Sequence, residues 1–83
     1  MSILFSNNWV SIIGMSKVFG ERLKELRMQE GHNQKEMAKI LGTSQASLSK
    51  WENDIQEPCI DEILLICDHF DVSADFLLGR KGW

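Results

Sequence analysis

The run Asn33–Asn53, NQKEMAKILGTSQASLSKWEN, restricts the fold of this chain more than any other stretch. It reads as a short helix, a tight reversal and a second short helix. Asn33 can cap the first helix, and Glu36 follows at the spacing of a capping box, where each residue satisfies the other's free backbone N–H. Met37, Ala38 and Leu41 then fall on one face. Gly42 stands where the chain must turn back, and glycine accepts the positive φ such a turn requires. Ser44 is a good cap for the second helix, whose Leu48 and Trp51 point inward at i and i+3. The other side of that helix carries Gln45, Ala46, Ser49, Lys50 and Asn53, all small, polar or basic. Two short helices around a glycine turn, the second with a hydrogen-bonding outer face, are the pattern of a DNA-reading helix-turn-helix.

Eighty-three residues make one domain, close to the lower limit for folding without disulfides or metals. A hydrophobic content of 43% is ordinary for a globular chain and argues against disorder throughout. No apolar run approaches the length of a membrane span, roughly 18 residues or more. The first residues lack the basic start and small-residue cleavage site of a secretory signal. Cys59 and Cys67 fall on a single expected helix, about 12 Å apart along its axis, too far to bridge. Two free thiols suit a reducing, cytoplasmic setting.

A net charge of −3 is unusual for a DNA-binding domain. Its distribution is more informative than its sum. Residues 1–50 hold seven Lys or Arg against four acids, whereas residues 51–83 hold two against eight. Within 33–50, Lys35, Lys39 and Lys50 face only Glu36. A basic reading face with an acidic back still attracts DNA locally and orients the domain on it.

Taken in order, residues 1–15 form an apolar N-terminal arm, residues 16–79 the domain, and residues 80–83 a mobile tail. In the arm, Ile3, Leu4, Phe5, Trp9, Val10, Ile12 and Ile13 make two apolar clumps around Ser6-Asn7-Asn8, readable as short strands about a turn. The arm is either an unordered leader, with Met15-Ser16-Lys17 as a start in its own right, or a segment that packs on a second subunit. Helix 1 is expected from near Ser16 to before Gly31, with Phe19, Leu23, Leu26 and Met28 inside. Met15, Met28 and Met37 are expected to fill gaps in the core. His32 reads as a partly exposed staple before the Asn33 cap. Pro58 introduces helix 4, with Cys59 at its cap. Ile60, Ile63, Leu64, Cys67 and Phe70 describe its core face, Ile66 the margin, and Leu65 points away. Ser73 caps helix 5, which ends at Gly79.

Other chemistry finds little support. Cys67 and His69, at i and i+2, point to different sides of a helix, and no second pair completes a metal site. Gly20, Gly31 and Gly42 form no phosphate-cradling loop. Neither histidine has a nucleophile at a catalytic spacing. Neither an enzyme nor a cofactor is expected.

The positions Gln34, Ala38, Gly42 and Ser44, then Leu48, Trp51-Glu52-Asn53 and Pro58, resemble the lambda repressor-like family, the Cro/repressor or Xre type of helix-turn-helix. The resemblance spans roughly Lys17 to Gly79. It implies an all-α, compact five-helix DNA-binding domain with helix 3 in the major groove. Gln34 falls where the family touches phosphate, and Gln45 where it reads a base edge, adenine being the natural partner of a glutamine. Ala46 matches a second reading position, and Ser49 and Lys50 complete that face. Lys35, Ser44, Ser47 and Asn53 line the backbone around it. The resemblance also implies an ion pair between Arg27 and Glu52. Asp54 departs from the family's usual glycine, and His32 from its usual aliphatic residue.

These expectations make the chain a cytoplasmic transcriptional regulator of bacterial or phage origin, more often a repressor. Its partner is double-stranded DNA, bound as a homodimer on a near-palindromic operator. Phe5, Trp9, Leu65, Phe76, Leu77 and Trp83 are the candidate dimer residues. The alternatives are an antitoxin-type regulator that binds DNA and a toxin protein, and a protein-interaction module without DNA binding.

Overall fold

The largest fully buried side chains, Leu23, Met37, Leu48, Ile66 and Leu77, come one from each of five helices. In this computed structural model residues 8–80 are described, with side chains from Val18 onward. The helices are α1 Asn8–Gln29, α2 Gln34–Leu41, α3 Gln45–Glu52, α4 Ile60–Phe70 and α5 Ala74–Leu77, and no strand occurs among the described residues. Each fully buried aliphatic side chain stabilises the fold by about 1.5–3 kcal/mol. Phe19, Ala38, Leu41, Trp51 and Cys67 complete the buried cluster, with Leu26, Ile63, Phe70, Ala74 and Leu78 packed around it.

Several expectations need correction. Helix α1 begins at Asn8, not near Ser16, so the second apolar clump is helical rather than a strand. The steps from Trp9 to Ile12 and Ile13 are three and four, a spacing that suits a helix. Residues Ile3, Leu4, Phe5 and Trp83 lie outside the described residues, as do the side chains of Trp9, Ile12, Ile13 and Met15. Met28 is 60% exposed. The inward stripe of α1 runs Phe19, Leu23, Leu26, Arg27, and the next residue along is turned off it. Beyond α5, the Arg80 N–H donates to Asp75 O at 2.7 Å.

Helix α4 departs furthest. Ile60 is 75% and Leu64 53% exposed, whereas Ile66 is 1% exposed at the centre of the contact. The buried face is Ile63, Ile66, Cys67 and Phe70. Seven of the eleven residues in α4 are apolar, so periodicity alone leaves its rotation open, and packing against the other helices decides it. Leu77 is wholly buried and therefore absent from the surface on which a dimer contact was expected. Its neighbour Phe76 is half-buried beneath Arg22, whose guanidinium lies 4.5 Å above the ring and donates to the Phe76 carbonyl.

Two close contacts set α3 against α1. Gly20 is where α1 crosses the end of α3: a Cβ there would lie 2.4 Å from Glu52 O and 2.7 Å from Asp54 Oδ2. Asp54 takes the left-handed turn at φ +56, a region aspartate enters more readily than most residues. Its Oδ1 accepts the Gly20 N–H at 3.1 Å. The turn that the family makes with glycine is thus kept, and the carboxylate adds a tie to α1.

Candidate nucleic-acid interface

The α2–α3 turn is built by local hydrogen bonds. Asn33 Oδ1 accepts the Glu36 N–H at 2.8 Å, and Glu36 Oε1 accepts the Asn33 N–H at 2.9 Å. Gly42 adopts φ 72, with its N–H donated to Lys39 O and the Thr43 N–H to Ala38 O. This pair of bonds satisfies two of the last carbonyls of α2 and reverses the chain. Ser44 Oγ accepts the Ser47 N–H at 3.1 Å and donates to Ser47 Oγ at 3.0 Å. The Ser47 hydroxyl keeps its own proton for an outside acceptor. At the far end of α3, Asn53 Nδ2 donates to Ser49 O at 2.8 Å.

With Leu48 and Trp51 buried, α3 turns Gln45, Ala46 and Lys50 to solvent and leaves Ser49 and Ser47 half-buried beside them. Lys35, Ser44 and Asn53 are exposed on the adjoining surface, and Gln34 is half-buried. Met37, Ala38, Leu41, Leu48 and Trp51 are thus buried beneath this polar and basic surface, while Ile40 stays 45% exposed.

Beneath this face lies a connected polar cluster. Arg27 Nε is 2.7 Å from Glu52 Oε2, and Arg27 Nη2 donates to Glu52 Oε1 at 3.1 Å. The two-pronged geometry matches guanidinium to carboxylate. The third arm, Nη1, donates to His32 O at 2.9 Å. Arg27 is 9% and Glu52 7% exposed. Gln34 Nε2 donates to Glu52 Oε1 at 3.0 Å, a contact that sequence spacing did not indicate. On the outer side of the α1–α2 corner, His69 Nε2 lies 2.8 Å from Glu30 Oε1. His32 stands near Glu30 and Glu36, at 3.7 and 3.8 Å.

Of the candidate dimer residues, Leu65 is 48% exposed on α4, where Ile60 and Leu64 are also exposed; Ile55, in the loop before α4, is 72% exposed. Among the described residues no group of three His, Cys, Asp or Glu could hold a metal ion. No described helix is long and apolar enough to cross a membrane. Burial, with Asp68 beside it, raises the Cys67 thiol above its ordinary range.

A glycine-turned helix pair, the second helix exposed along a polar face and braced by a buried arginine–glutamate pair, defines a helix-turn-helix domain of the lambda repressor-like type. The Helix-turn-helix family matches residues 23–77, and the chain belongs to it. This is a non-enzymatic family of DNA-binding transcriptional regulators. The chain is 41% identical over 61 residues to the HTH-type transcriptional regulator ImmR of Bacillus subtilis, covering 74% of this chain and 48% of ImmR. It is 38% identical over 61 residues to the SPbeta prophage-derived regulator YonR of the same organism, covering 74% of this chain and 56% of YonR. Antitoxin PezA of Streptococcus pneumoniae is 36% identical over 63 residues, covering 76% of this chain and 40% of PezA. The chain thus spans about half the length of the curated relatives it matches. Among solved structures it resembles the P22 c2 repressor in complex with a synthetic operator. The TM-score is 0.72 at 28% identity, covering 77% of this chain and 97% of that one.

Proposed function

We propose that this chain is a sequence-specific, double-stranded DNA-binding transcriptional regulator, acting in the cytoplasm as a homodimeric repressor on a near-palindromic operator. The observation that carries this reading is the exposed, hydrogen-bonding face of α3 in a fold that resembles a repressor crystallised on its operator. In this reading α3 enters the major groove. Gln45 reads an adenine edge through N6 and N7, and Ala46 offers a methyl contact to thymine. Ser49 allows close approach, and Lys50 reaches a guanine edge or a phosphate. Gln34, Lys35, Ser44, Ser47 and Asn53 hold the backbone and set the register.

One reading helix covers only a few base pairs, so high specificity calls for two, about 34 Å apart on a two-fold site. Exposed Ile55, Ile60, Leu64 and Leu65 follow α3 in the chain and supply apolar surface for a second copy. A second reading is an antitoxin-type regulator that also binds a toxin protein; the similarity to PezA is what favours it.

Selection from random duplex DNA, followed by titration of the winner at two salt concentrations, tests the proposal. An enriched palindrome with affinity falling steeply in salt is expected. Gln45→Ala should relax one operator position, and Lys35→Ala should weaken binding to every sequence and lower the salt slope. A random library that yields no enriched site would refute the reading, and stoichiometric co-purification of a second protein would favour the antitoxin.

A further inference from the structure

The polar cluster under α3 has a third member besides the ion pair. Arg27 and Glu52 satisfy each other in a two-pronged pair, yet Glu52 Oε1 also takes a hydrogen bond from Gln34 Nε2, the side chain of the first residue of α2. We infer that Glu52 is a positioning residue for DNA binding: it orients the Gln34 carboxamide so that an N–H, and not the carbonyl, is offered to a phosphate. This deepens the DNA-binding reading and rests on it.

The argument is one of donor and acceptor bookkeeping. A carboxylate paired with a guanidinium is ionised and can only accept. The half of the Gln34 amide that faces it must therefore be the NH2 group, since the flipped amide would set two acceptors against each other. One N–H goes to Glu52, and the other N–H of the same nitrogen is left to donate. A phosphate oxygen also only accepts, so it needs that second N–H. Without Glu52 nothing described fixes the amide, and the orientation that turns Cδ=Oε1 outward repels the backbone it should hold. Arg27 has a part in this. It neutralises Glu52, so that a carboxylate can stand behind a phosphate site without driving the phosphate away. The same three residues join the end of α3 to the start of α2, fixing the reading helix and the backbone anchor relative to each other.

The charge change makes the idea separable from a purely structural role. Glu52→Gln raises the net charge by one, which alone would strengthen binding to a polyanion. The positioning role requires the opposite sign. Because Glu52→Gln leaves Arg27 buried without its carboxylate, the principal test uses Arg27→Met/Glu52→Leu, which alters no net charge and keeps apolar bulk in the site. The selected duplex is titrated with wild type, Gln34→Ala, the Arg27→Met/Glu52→Leu pair and the combination of all three. Each protein is first verified as folded by circular dichroism at the working temperature. Gln34→Ala should weaken binding about tenfold, the scale of one hydrogen bond to a charged group, with the salt slope unchanged because Gln34 is neutral. The Arg27→Met/Glu52→Leu pair should weaken it by a similar factor, and adding Gln34→Ala should weaken it little further. Losses that multiply in the combined variant, or an unweakened Arg27→Met/Glu52→Leu protein beside a weakened Gln34→Ala, would overturn the inference. An unweakened Gln34→Ala would instead remove the phosphate contact itself, and the inference with it.

Discussion

Replacing Arg27 by methionine isolates the energetic part of the buried cluster. Arg27 is 9% exposed and makes three polar contacts: Glu52 Oε2 at 2.7 Å, Glu52 Oε1 at 3.1 Å and His32 O at 2.9 Å. Methionine fills much of the space of the alkyl stem but returns none of these. Glu52, 7% exposed, then keeps only the Gln34 amide as a described partner. A buried charge stranded in this way costs about 3–5 kcal/mol. Against a total of about 4–12 kcal/mol for a domain of this size, that is a large fraction. A loss of this size should lower the thermal midpoint by about 12–40 °C, at 4–8 °C per kcal/mol. In urea, with a slope of about 1–3 kcal/mol/M, the midpoint should fall by about 1 M or more. Arg27→Met/Glu52→Leu should recover most of the loss, because the stranded charge is what costs, not the absence of the pair. Urea denaturation followed by far-ultraviolet circular dichroism measures all three proteins. Arg27→Met within about 1 kcal/mol of wild type would mean that the carboxylate reaches water or a proton without penalty. The cluster would then contribute no more than a surface pair.

Four further outcomes are expected. Gly20→Ala should destabilise the fold by about 1–3 kcal/mol, because its Cβ would meet Glu52 O at 2.4 Å. Helix propensity alone predicts a gain of about 0.8–1 kcal/mol, so the sign of the change in a urea melt decides between them. Exposed Cys59 should react with iodoacetamide in the native protein, and buried Cys67 only on unfolding. Because the folded Cys67 thiol is raised above 9.0, the unfolded chain ionises first as pH rises, and stability should fall from about pH 9 upward. Cys67→Ala should remove that part of the fall, read as the change in urea midpoint between pH 8 and pH 10. Leu64→Glu, at a side chain 53% exposed, should leave the thermal midpoint within a few degrees and convert a dimer to a monomer in sedimentation equilibrium. An unaltered mass would mean that this surface of α4 holds no second copy.

What could be read from the sequence divides by distance along the chain. Asn33, Ser44 and Ser73 cap backbone groups within a few residues, as their spacing implied, and Gly42 takes the positive φ expected at the turn. Gly20 and Asp54 are 34 residues apart, and no local pattern announces that one helix crosses another so closely that a methyl group is excluded. The Gln34–Glu52 bond is similarly non-local, joining the start of one helix to the end of the next. The α3 face was legible by subtraction. Its segment holds two large apolar residues, Leu48 and Trp51, so burying them leaves a single solution for what stays outside. Helix α4 offers seven apolar residues, and several rotations bury a comparable set; the one adopted exposes Ile60 and Leu64 against expectation. Leu77, misplaced at an interface, ends the four-residue α5, where Phe76, Leu77 and Leu78 are consecutive and no period picks out the buried one. A solvent-exposed face can thus be inferred from sequence when the core face opposite it is barely apolar enough. Where apolar residues exceed what the core takes, as on α4, the surplus must lie at the surface, and only packing says which residues form it. That surplus leaves apolar area exposed on α4, which is why the proposed second copy of the chain is placed there.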